Sequence, residues 1–336
     1  MSGILHPRAP IHVRGYASAA GYDEFRGPLG PLFDFHDDSD RFGGKTWEKA
    51  EEGLGQTVFN LALGRAGLAY RDIDFLMAGD LQNQCVASSD AYAPFGVPYL
   101  GLYGACSTFV EGMLLASLTL CGTADARRAA VVVTSHNCAA ERQFRLPLEY
   151  GGQRTPTAQW TATAGGCVLL EAGEGEVCLT RALPGRMVDA GIRDAANMGA
   201  AMAPAAADTL LRYFGETGED PTAYDAIVTG DLGREGSAIL EDLLAGRGMS
   251  LAGRHRDCGV MLYDPAHQDV HAGGSGCGCI ASVTAAYWLP RLFAGDVHRV
   301  LFMATGALMS PASIQQGGSI VGVAPLCLLE RKEGNT

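Results

Sequence analysis

The sequence predicts an α/β fold built by duplication of one α/β unit. Apolar segments of strand length alternate with helical segments along the chain, for example at residues 72–81 and 129–136. Such alternation is typical of layered folds whose central strands are parallel. We therefore place one α/β half over residues 1–175 and a second half over residues 176–336.

The duplication is visible as three pieces of the first half that return, in the same order, in the second half. The matched segments are 74–81 with 225–232, 120–134 with 293–305, and 164–171 with 323–330. A single match of this length could arise by chance, but three matches in order indicate a repeated unit.

The composition is that of a globular protein with a large core, since 47% of the residues are hydrophobic and 18% are charged. The net charge of −12 argues against a nucleic-acid partner and against general attraction to anionic lipid. No apolar leader is found in the first 30 residues, and no run reaches the roughly 18 apolar residues of a membrane span. We therefore expect an intracellular protein without a transmembrane segment.

The chain has ten cysteines, which are scattered singly except for Cys277 and Cys279. They show neither the regular spacing of a disulfide framework nor the paired Cys-x-x-Cys spacing of a structural zinc site. We expect reduced, mostly buried thiols and no metal ion.

Helices are predicted where an apolar period is flanked by capping residues. Residues 47–66 form such a pattern, with Thr46 placed as the N-cap and Gly67 just past the end. The chain before this helix is rich in Gly, Pro and Asp, and we expect loops around one or two strands there. Between the halves, the stretches 195–207 and 208–214 are predicted as two further helical segments.

The stretch from Gly101 to Leu118 is a glycine-punctuated turn that presents Cys106 directly before a helical pattern. A thiol at a helix N-terminus lies near unpaired backbone N–H groups and the positive end of the dipole, and both lower its pKa. The same position suits a bound anion. Cys106 is therefore interpreted either as a nucleophile or as part of an anion-binding pocket floor.

Polar side chains follow the predicted strands in both halves. Asp80 and Asp231 occupy equivalent Gly-Asp turns, and His136 ends the strand at residues 129–136. Because α/β folds collect their sites at the carboxyl ends of strands, His136 is a candidate to bind a carboxylate or to pair with Cys106. For the two aspartates we favour capping of their own turns through a side-chain hydrogen bond.

Five longer segments resemble the stage V sporulation protein AD family, within the thiolase and ketoacyl-synthase superfamily. These segments are 42–48, 78–84, 101–108, 140–151 and 156–161. The resemblance covers essentially the whole chain and implies a thiolase-like fold, with the duplicated unit in αβαβα layers and no cofactor. It also implies a homodimer that binds dipicolinic acid. Such a protein would act with the other SpoVA membrane proteins, at the spore inner membrane, in moving dipicolinate into the developing endospore.

Members of this superfamily that condense acyl groups supply partners for the reactive cysteine, usually histidine, asparagine or a second cysteine. At the matching positions this chain has Ser275, Asp231 and Gln316. The resemblance therefore implies a pocket that keeps Cys106 but is used for binding without catalysis. An acyltransferase that acts on acyl-CoA through Cys106, helped by His136, stays open as the alternative.

Dipicolinate is a planar pyridine with two carboxylates, so its site calls for arginine or backbone N–H donors around an apolar slot. Three arginines, Arg142, Arg145 and Arg154, lie in one short segment that follows the strand ending at His136. In an acidic protein this is a notable concentration of positive charge. We expect Arg142 or Arg145 to contact the ligand rather than Arg154.

The same segment allows a purely structural interpretation, in which Glu141 and Glu149 form ion pairs with the arginines. Two more residues are candidates for the lining of the site. Lys45 lies in the polar N-terminal loop, and Gln159 follows the arginine segment closely in sequence.

Overall fold

The structure is a computed structural model that describes residues 3–145 and 153–332, and it confirms the α/β fold. The strands are β1 Ile11–Ala20, β2 Phe35–His36, β3 Phe75–Gly79, β4 Tyr99–Gly101, β5 Arg128–Ser135, β6 Trp160–Thr161, β7 Ala164–Ala172, β8 Val177–Leu183, β9 Val188–Asp189, β10 Ala226–Thr229, β11 His255–Asp257, β12 Gly274–Ser275, β13 Arg299–Met303, β14 Gly306–Leu308, β15 Val321–Val323 and β16 Leu326–Arg331. The α-helices are α1 Tyr22–Phe25, α2 Trp47–Ala66, α3 Val86–Tyr92, α4 Thr108–Gly122, α5 Met198–Thr217, α6 Gly233–Ala245, α7 Cys258–Leu262, α8 Cys277–Val283, α9 Leu289–Ala294 and α10 Pro311–Gln315.

The large sheet has two arms that share one strand order. From the centre outward, the first arm runs β1, β7, β5, β3, β4, and the second runs β8, β16, β13, β10, β11. In each arm the two inner pairings are antiparallel and the two outer pairings are parallel. The arms meet where β1 pairs with β8. Strands of equal rank along the chain therefore hold equal places in the two arms, as duplication of one unit requires.

Strands β3, β5 and β7 of the first arm are mostly apolar and buried on both faces, and their alternate residues belong to two separate cores. In β5, Ala130 and Val132 face the core that includes α2, whereas Val131 and Val133 face the core that includes α4 and α8. This period of two is that of a strand. Burial on both faces explains why such segments are unbroken apolar runs in the sequence.

Helices α4 and α8 lie between the two arms. Helix α4 contacts β3 and β5 of the first arm, β8 and β16 of the second arm, and α8, while α2 covers the outer face of the first arm. Residues Ala105–Gly122 are long and apolar enough to cross a membrane, but about two-thirds of this stretch is buried in the fold, and a core helix passes the same test. The arrangement supplies the middle helical layer of an αβαβα fold.

Helix α2 confirms the sequence prediction at both ends. Thr46 Oγ1 accepts a hydrogen bond from the Lys49 N–H, and Gly67 has a φ of 66°, the left-handed conformation that glycine adopts without steric penalty. The prediction of two helical segments between the halves is wrong, because they form one helix, α5, that continues through Pro204. Packing of α5 on α6 outweighs the cost of proline within a helix.

A buried carboxyl group ties the N-terminal segment to the second half. Glu24 in α1 is 1% exposed, and its Oε1 accepts hydrogen bonds from the Tyr263 hydroxyl and from the Thr163 N–H. Burial raises the pKa of Glu24 to about 8; the two donors oppose this rise and the charge of Asp40 adds to it. The carboxyl is therefore mostly neutral near pH 7.

We predict that Glu24→Gln is increasingly more stable than the wild type as pH rises from 6 to 8. The folded-state pKa of about 8 lies above the ordinary value of 4.5. The contribution of the neutral carboxyl is therefore complete below that lower value and is lost progressively as pH rises to about 8. Gln keeps the acceptor oxygen and cannot ionise. The variant therefore avoids a decrease in the free energy of unfolding of at most about 1.4 kcal/mol per pH unit.

Urea unfolding of both proteins at the two pH values measures this difference. Tyr263→Phe, which removes the donor but keeps the ring, is the matched control; because this donor lowers the pKa of Glu24, the variant should lose stability with rising pH at least as steeply as the wild type. If the free energy of unfolding falls by the same amount in Glu24→Gln and in the wild type, Glu24 does not carry this dependence.

Candidate functional site

Cys106 lies in the turn between β4 and α4. Residues Ala105–Ser107 form a short 3-10 turn in which Ala105 has a φ of 52°, and α4 begins only at Thr108. The Cys106 side chain is 1% exposed. Burial, followed by the charge of Asp231, raises its pKa well above the ordinary value, although the Gly276 N–H opposes this. The predicted lowering of the pKa is wrong, because desolvation outweighs the helix dipole.

His136 is fully buried at the end of β5. Its Nδ1 accepts from the Cys138 N–H at 3.1 Å, and its Nε2 donates to the Asp40 carbonyl at 2.8 Å. Burial also lowers the pKa of His136 and so favours the neutral ring. Neither nitrogen is left for Cys106, and the predicted pairing of the two residues is wrong. Contact of His136 with a ligand carboxylate stays a prediction that would require one of these bonds to open.

The equivalent Gly-Asp turns after β3 and after β10 are built differently. After β3, Asp80 accepts from the Gln82 N–H and from both the N–H and the hydroxyl of Ser88, at 2.7–2.8 Å. Burial raises the pKa of Asp80, and these donors oppose the rise. The capping role predicted for Asp80 is confirmed.

After β10 another acid caps the turn. Asp257 accepts from the Leu232 N–H at 2.9 Å and from the Gly233 N–H at 3.0 Å. Asp231 is fully buried, and neither of its carboxylate oxygens has a hydrogen-bond partner within residues 3–145 and 153–332. The capping predicted for Asp231 is therefore wrong. Burial, followed by the charge of Asp257, raises the pKa of Asp231 well above its ordinary value and so favours a neutral carboxyl. The Thr305 N–H lies close enough to lower this pKa slightly, although it does not form a hydrogen bond with the carboxyl group.

Unpaired polar atoms collect around Asp231. Gln159 Nε2 donates to the Asp231 carbonyl at 2.6 Å and to the Gly274 carbonyl at 3.3 Å. Gln159 Oε1 and Thr305 Oγ1 are buried and have no partner in the part of the chain that the structure describes. We call Cys106, Asp231, Gln159 and Thr305 the Cys106 cluster. Because buried polar atoms are nearly always paired, several unpaired ones together mark a place for water or a ligand.

The glycine-rich loop before α8 forms one wall of the Cys106 cluster. Gly276 has a φ of 103°, and a Cβ built there would lie 2.8 Å from Ser135 Oγ, so this position requires glycine. Ser275 is buried between Gly274, which Gln159 contacts, and Gly276, whose N–H faces Cys106. The fold thus brings together four predicted site residues: Cys106, Gln159, Asp231 and Ser275.

A cavity of about 360 Å³ lies beside the Cys106 turn. Gly104 and Ser107, on either side of Cys106 in sequence, line it, and Glu111 of α4 contributes a carboxyl group. The other walls are mostly apolar and are formed by Tyr103, Leu114, Leu115, Pro184, Gly185, Leu308, Val323 and Pro325. A cavity of this size accommodates a small molecule.

Arg145 is held against the loop that follows β5. Its Nη1 donates to the carbonyls of Asn137 and Cys138, each at 3.1 Å. Its Nε is buried and has no hydrogen-bond partner among the residues that the structure describes. Arg142 is exposed. Glu149, one of the two acids expected to pair with these arginines, lies outside the described residues.

Arg154 lies elsewhere and is partly paired: its Nη1 is buried and has no hydrogen-bond partner among the described residues. Its guanidinium is 4.9 Å from the ring centre of Trp160 and 3.1 Å from Asp269 Oδ2. The preference for Arg142 or Arg145 over Arg154 as a ligand contact stays a prediction. Glu141, the other predicted pairing partner, accepts from the Asn83 N–H at 2.8 Å.

Further positive charge surrounds the N-terminus of α2. The Arg41 guanidinium stacks at 3.6 Å from the Trp47 ring centre and donates to the Lys45 carbonyl at 3.2 Å. The charges of Arg41 and Arg145 both lower the pKa of His136, so both lie near that ring. Lys45 is exposed. We call Arg41, Lys45 and Arg145 the basic cluster.

Gln316 differs from the other predicted site residues near Cys106 in its exposure to solvent. It is exposed at the C-terminal end of α10, whereas Cys106 and Ser275 are fully buried. The two glycines that follow it, Gly317 and Gly318, are exposed as well.

Three residues of the site were not predicted from the sequence: Arg41, Glu111 and Thr305. Thr305 had a usable signal, since the internal repeat aligns it with Thr134 at the end of the equivalent strand. Glu111 could have been noticed as the only charged residue of an otherwise apolar helix. Arg41 gave no local signal, because it lies in an acidic loop and its effect is on His136, which is distant in sequence.

Solved structures similar to this chain include two 3-oxoacyl synthases. The 3-oxoacyl-[acyl-carrier-protein] synthase III of Aquifex aeolicus VF5 matches with a TM-score of 0.57 and 13% identity, over 95% of this chain and 99% of that chain. The 3-oxoacyl-(acyl carrier protein) synthase III of Pseudomonas aeruginosa PAO1 matches with a TM-score of 0.57 and 18% identity, over 97% and 99%. At these identities the likeness shows the fold alone. The protein has the thiolase-like fold that the sequence predicted.

The family follows from sequence. The family described as Stage V sporulation protein AD matches residues 5–330. Stage V sporulation protein AD of Bacillus subtilis (strain 168) is 43% identical over 325 residues, which span 97% of this chain and 96% of that protein. The chain therefore belongs to the stage V sporulation protein AD family, a family of sporulation proteins, and the resemblance found in the five segments is confirmed.

We predict that Cys106 is alkylated at least roughly tenfold more slowly than Cys138 in the folded protein near pH 7. Iodoacetamide reacts with the thiolate, and Cys106 is buried with a pKa raised well above its ordinary value, whereas Cys138 is exposed. Timed labelling followed by peptide mass spectrometry gives both rates. Labelling in urea is the control, because unfolding should make the two rates similar; equal rates in the folded protein would contradict the buried-thiol geometry.

Proposed function

We propose that this protein binds dipicolinic acid in the sporulating cell, and that its thiolase-like pocket serves binding without catalysis. The family membership gives the context of sporulation. The observation that carries the proposal is the buried Nε–H of Arg145, which has no partner within the described ranges. A dicarboxylate is a ligand that this donor suits.

The geometry of Arg145 supports carboxylate binding in particular. Its Nη1 is occupied by two carbonyls, which fixes the plane of the guanidinium. The Nε–H belongs to the edge shared with Nη2, and such an edge matches the two oxygens of a carboxylate. A buried donor without a partner costs about 1–3 kcal/mol, which a bound carboxylate would recover. Arg41 and Lys45 supply further positive charge nearby.

We predict that Arg145→Lys weakens dipicolinate binding by about 1.5–3 kcal/mol, because lysine keeps the charge but loses the planar edge. This is roughly a ten- to 150-fold rise in Kd, measured by calorimetry. Arg154→Lys is the matched control and should leave Kd nearly unchanged, since the Arg154 guanidinium lies against Asp269 and the Trp160 ring and not in the loop that follows β5. Absence of heat at millimolar dipicolinate, or equal effects of the two substitutions, would contradict the proposal.

The wider role that we propose is the one implied by the family. The protein would act with the SpoVA membrane proteins and assist the uptake of dipicolinate into the developing endospore. The long apolar stretch of α4 is largely buried within the fold, so membrane location would come through these partners.

Acyl transfer through Cys106 is the second candidate function. Its favourable observation is the position of Cys106 in the turn before α4, in a fold shared with condensing enzymes. The raised pKa of the thiol and the occupied nitrogens of His136 oppose it. Intact-mass measurement after incubation with acyl-CoA separates the two functions: an adduct that Cys106→Ser removes supports transfer, and no adduct at any chain length supports binding alone.

We also propose that two copies associate through the β4 edge of the sheet. Strand β4 is the outer strand of the first arm, and Tyr99 and Leu100 in it are 36% and 46% exposed. The opposite edge, β11, consists of His255, Arg256 and Asp257. Charged residues protect sheet edges from pairing, so the uncharged β4 edge is the one suited to a second copy.

We predict that Leu100→Lys converts the dimer to a monomer, because the lysine places a charge on each side of a two-fold interface. Light scattering after size-exclusion chromatography gives the mass. Arg256→Lys on the opposite edge is the control and should leave a dimer. A monomeric wild type, or a dimer that Leu100→Lys leaves intact, would contradict the proposal.

A further inference from the structure

The cavity beside the Cys106 turn has one charged lining residue, Glu111, within the part of the chain that the structure describes. Glu111 is also the only charged residue of α4, whose sequence is otherwise apolar or weakly polar. Its carboxyl group points toward the turn, where a Cβ built on Gly104 would lie 2.3 Å from Glu111 Oε2. The charge thus lies at the narrow contact between the helix and the turn.

Glu111 has no compensating group in the part of the chain that is described. It makes no hydrogen bond or ion pair there, and burial is the one cause that raises its pKa. The fully buried carboxylates Asp80 and Asp257 have donors, whereas the half-buried Glu111 lies at the cavity without one. A carboxylate beside an apolar wall loses part of its hydration, and a bound cation would offset that loss.

The helix dipole accounts for part of this placement but not for all of it. Glu111 is in the first turn of α4, where a negative charge is favourable. An acid on the solvent face of the same turn would gain the same interaction and keep its water. Glu111 instead faces a cavity of about 360 Å³ whose walls include Leu114, Leu115 and Leu308. A cavity with apolar walls and one unpaired carboxyl group suits a ligand that has an apolar part and one positive charge.

We propose that this cavity binds a small amphiphilic amine, with its ammonium group against the Glu111 carboxylate and its apolar chain against Leu114, Leu115 and Leu308. One charge-assisted hydrogen bond and the burial of the apolar chain would both contribute to the binding free energy. The Tyr103 hydroxyl, at the exposed rim, is a second acceptor for the ammonium protons. None of Arg41, Lys45 and Arg145 is among the described residues that line this cavity, and the opposite charges of the two places select different ligands.

The test uses three probes of one chain length and different head groups: hexylamine, hexanol and hexanoate. Calorimetry with the full-length protein should show hexylamine binding at least tenfold more tightly than hexanol, and hexanoate binding least. Glu111→Gln should remove the preference for the amine over the alcohol. Equal affinity for hexylamine and hexanoate, or amine binding that Glu111→Gln does not weaken, would overturn the proposal.

Two further measurements keep the result interpretable. Leu308→Trp, which fills the apolar end of the cavity, should abolish binding of hexylamine and hexanol together while Glu111 is intact; unchanged binding would place the ligand elsewhere and overturn the proposal. Dipicolinate binding should be the same in Glu111→Gln and the wild type. Because the dicarboxylate measurement depends on Arg145 and the amine measurement on Glu111, failure of one leaves the other standing.

Discussion

Helices α4 and α8 are enclosed between the two arms of the sheet, and this enclosure sets the conditions for the polar groups near Cys106. The strands that face the helices have to be apolar on both sides, so a thiol or carboxyl group placed there loses water without gaining a charged partner. Cys106 and Asp231 respond alike, with pKa values raised by burial. An activated cysteine needs a positive neighbour, and the described surroundings of Cys106 consist of neutral and acidic groups.

The parts of the fold that local signals determine could be predicted from the sequence. Helix α2 begins and ends where Thr46 and Gly67 cap it, and the duplication appears as the shared strand order of the two arms. Helix α5 could not be predicted as one element, since Pro204 argues locally for a break and only packing on α6 keeps the helix continuous. Sequence patterns predict an element well where a residue, such as a helix cap, bonds to backbone groups of its neighbours in sequence.

The site was predictable in position but not in chemistry. The sequence located Cys106, Gln159, Asp231 and Ser275, and the fold brings these residues together. The state of each group depends on tertiary neighbours that no local pattern specifies. The pKa of Cys106 rises because the turn is buried before α4 begins, and the carboxyl of Asp231 is unpaired because Asp257 caps its turn from a different strand.

The two edges of the sheet have a consequence for how far self-association can proceed. A sheet grows by adding strands at an edge with unpaired backbone groups and no charge, and β4 is such an edge while β11 is not. If two copies pair through their β4 edges about a two-fold axis, both uncharged edges become buried in the dimer. The edges that the dimer still exposes are the two charged β11 strands. Assembly is then self-limiting, and the protein can accumulate without polymerising into fibres.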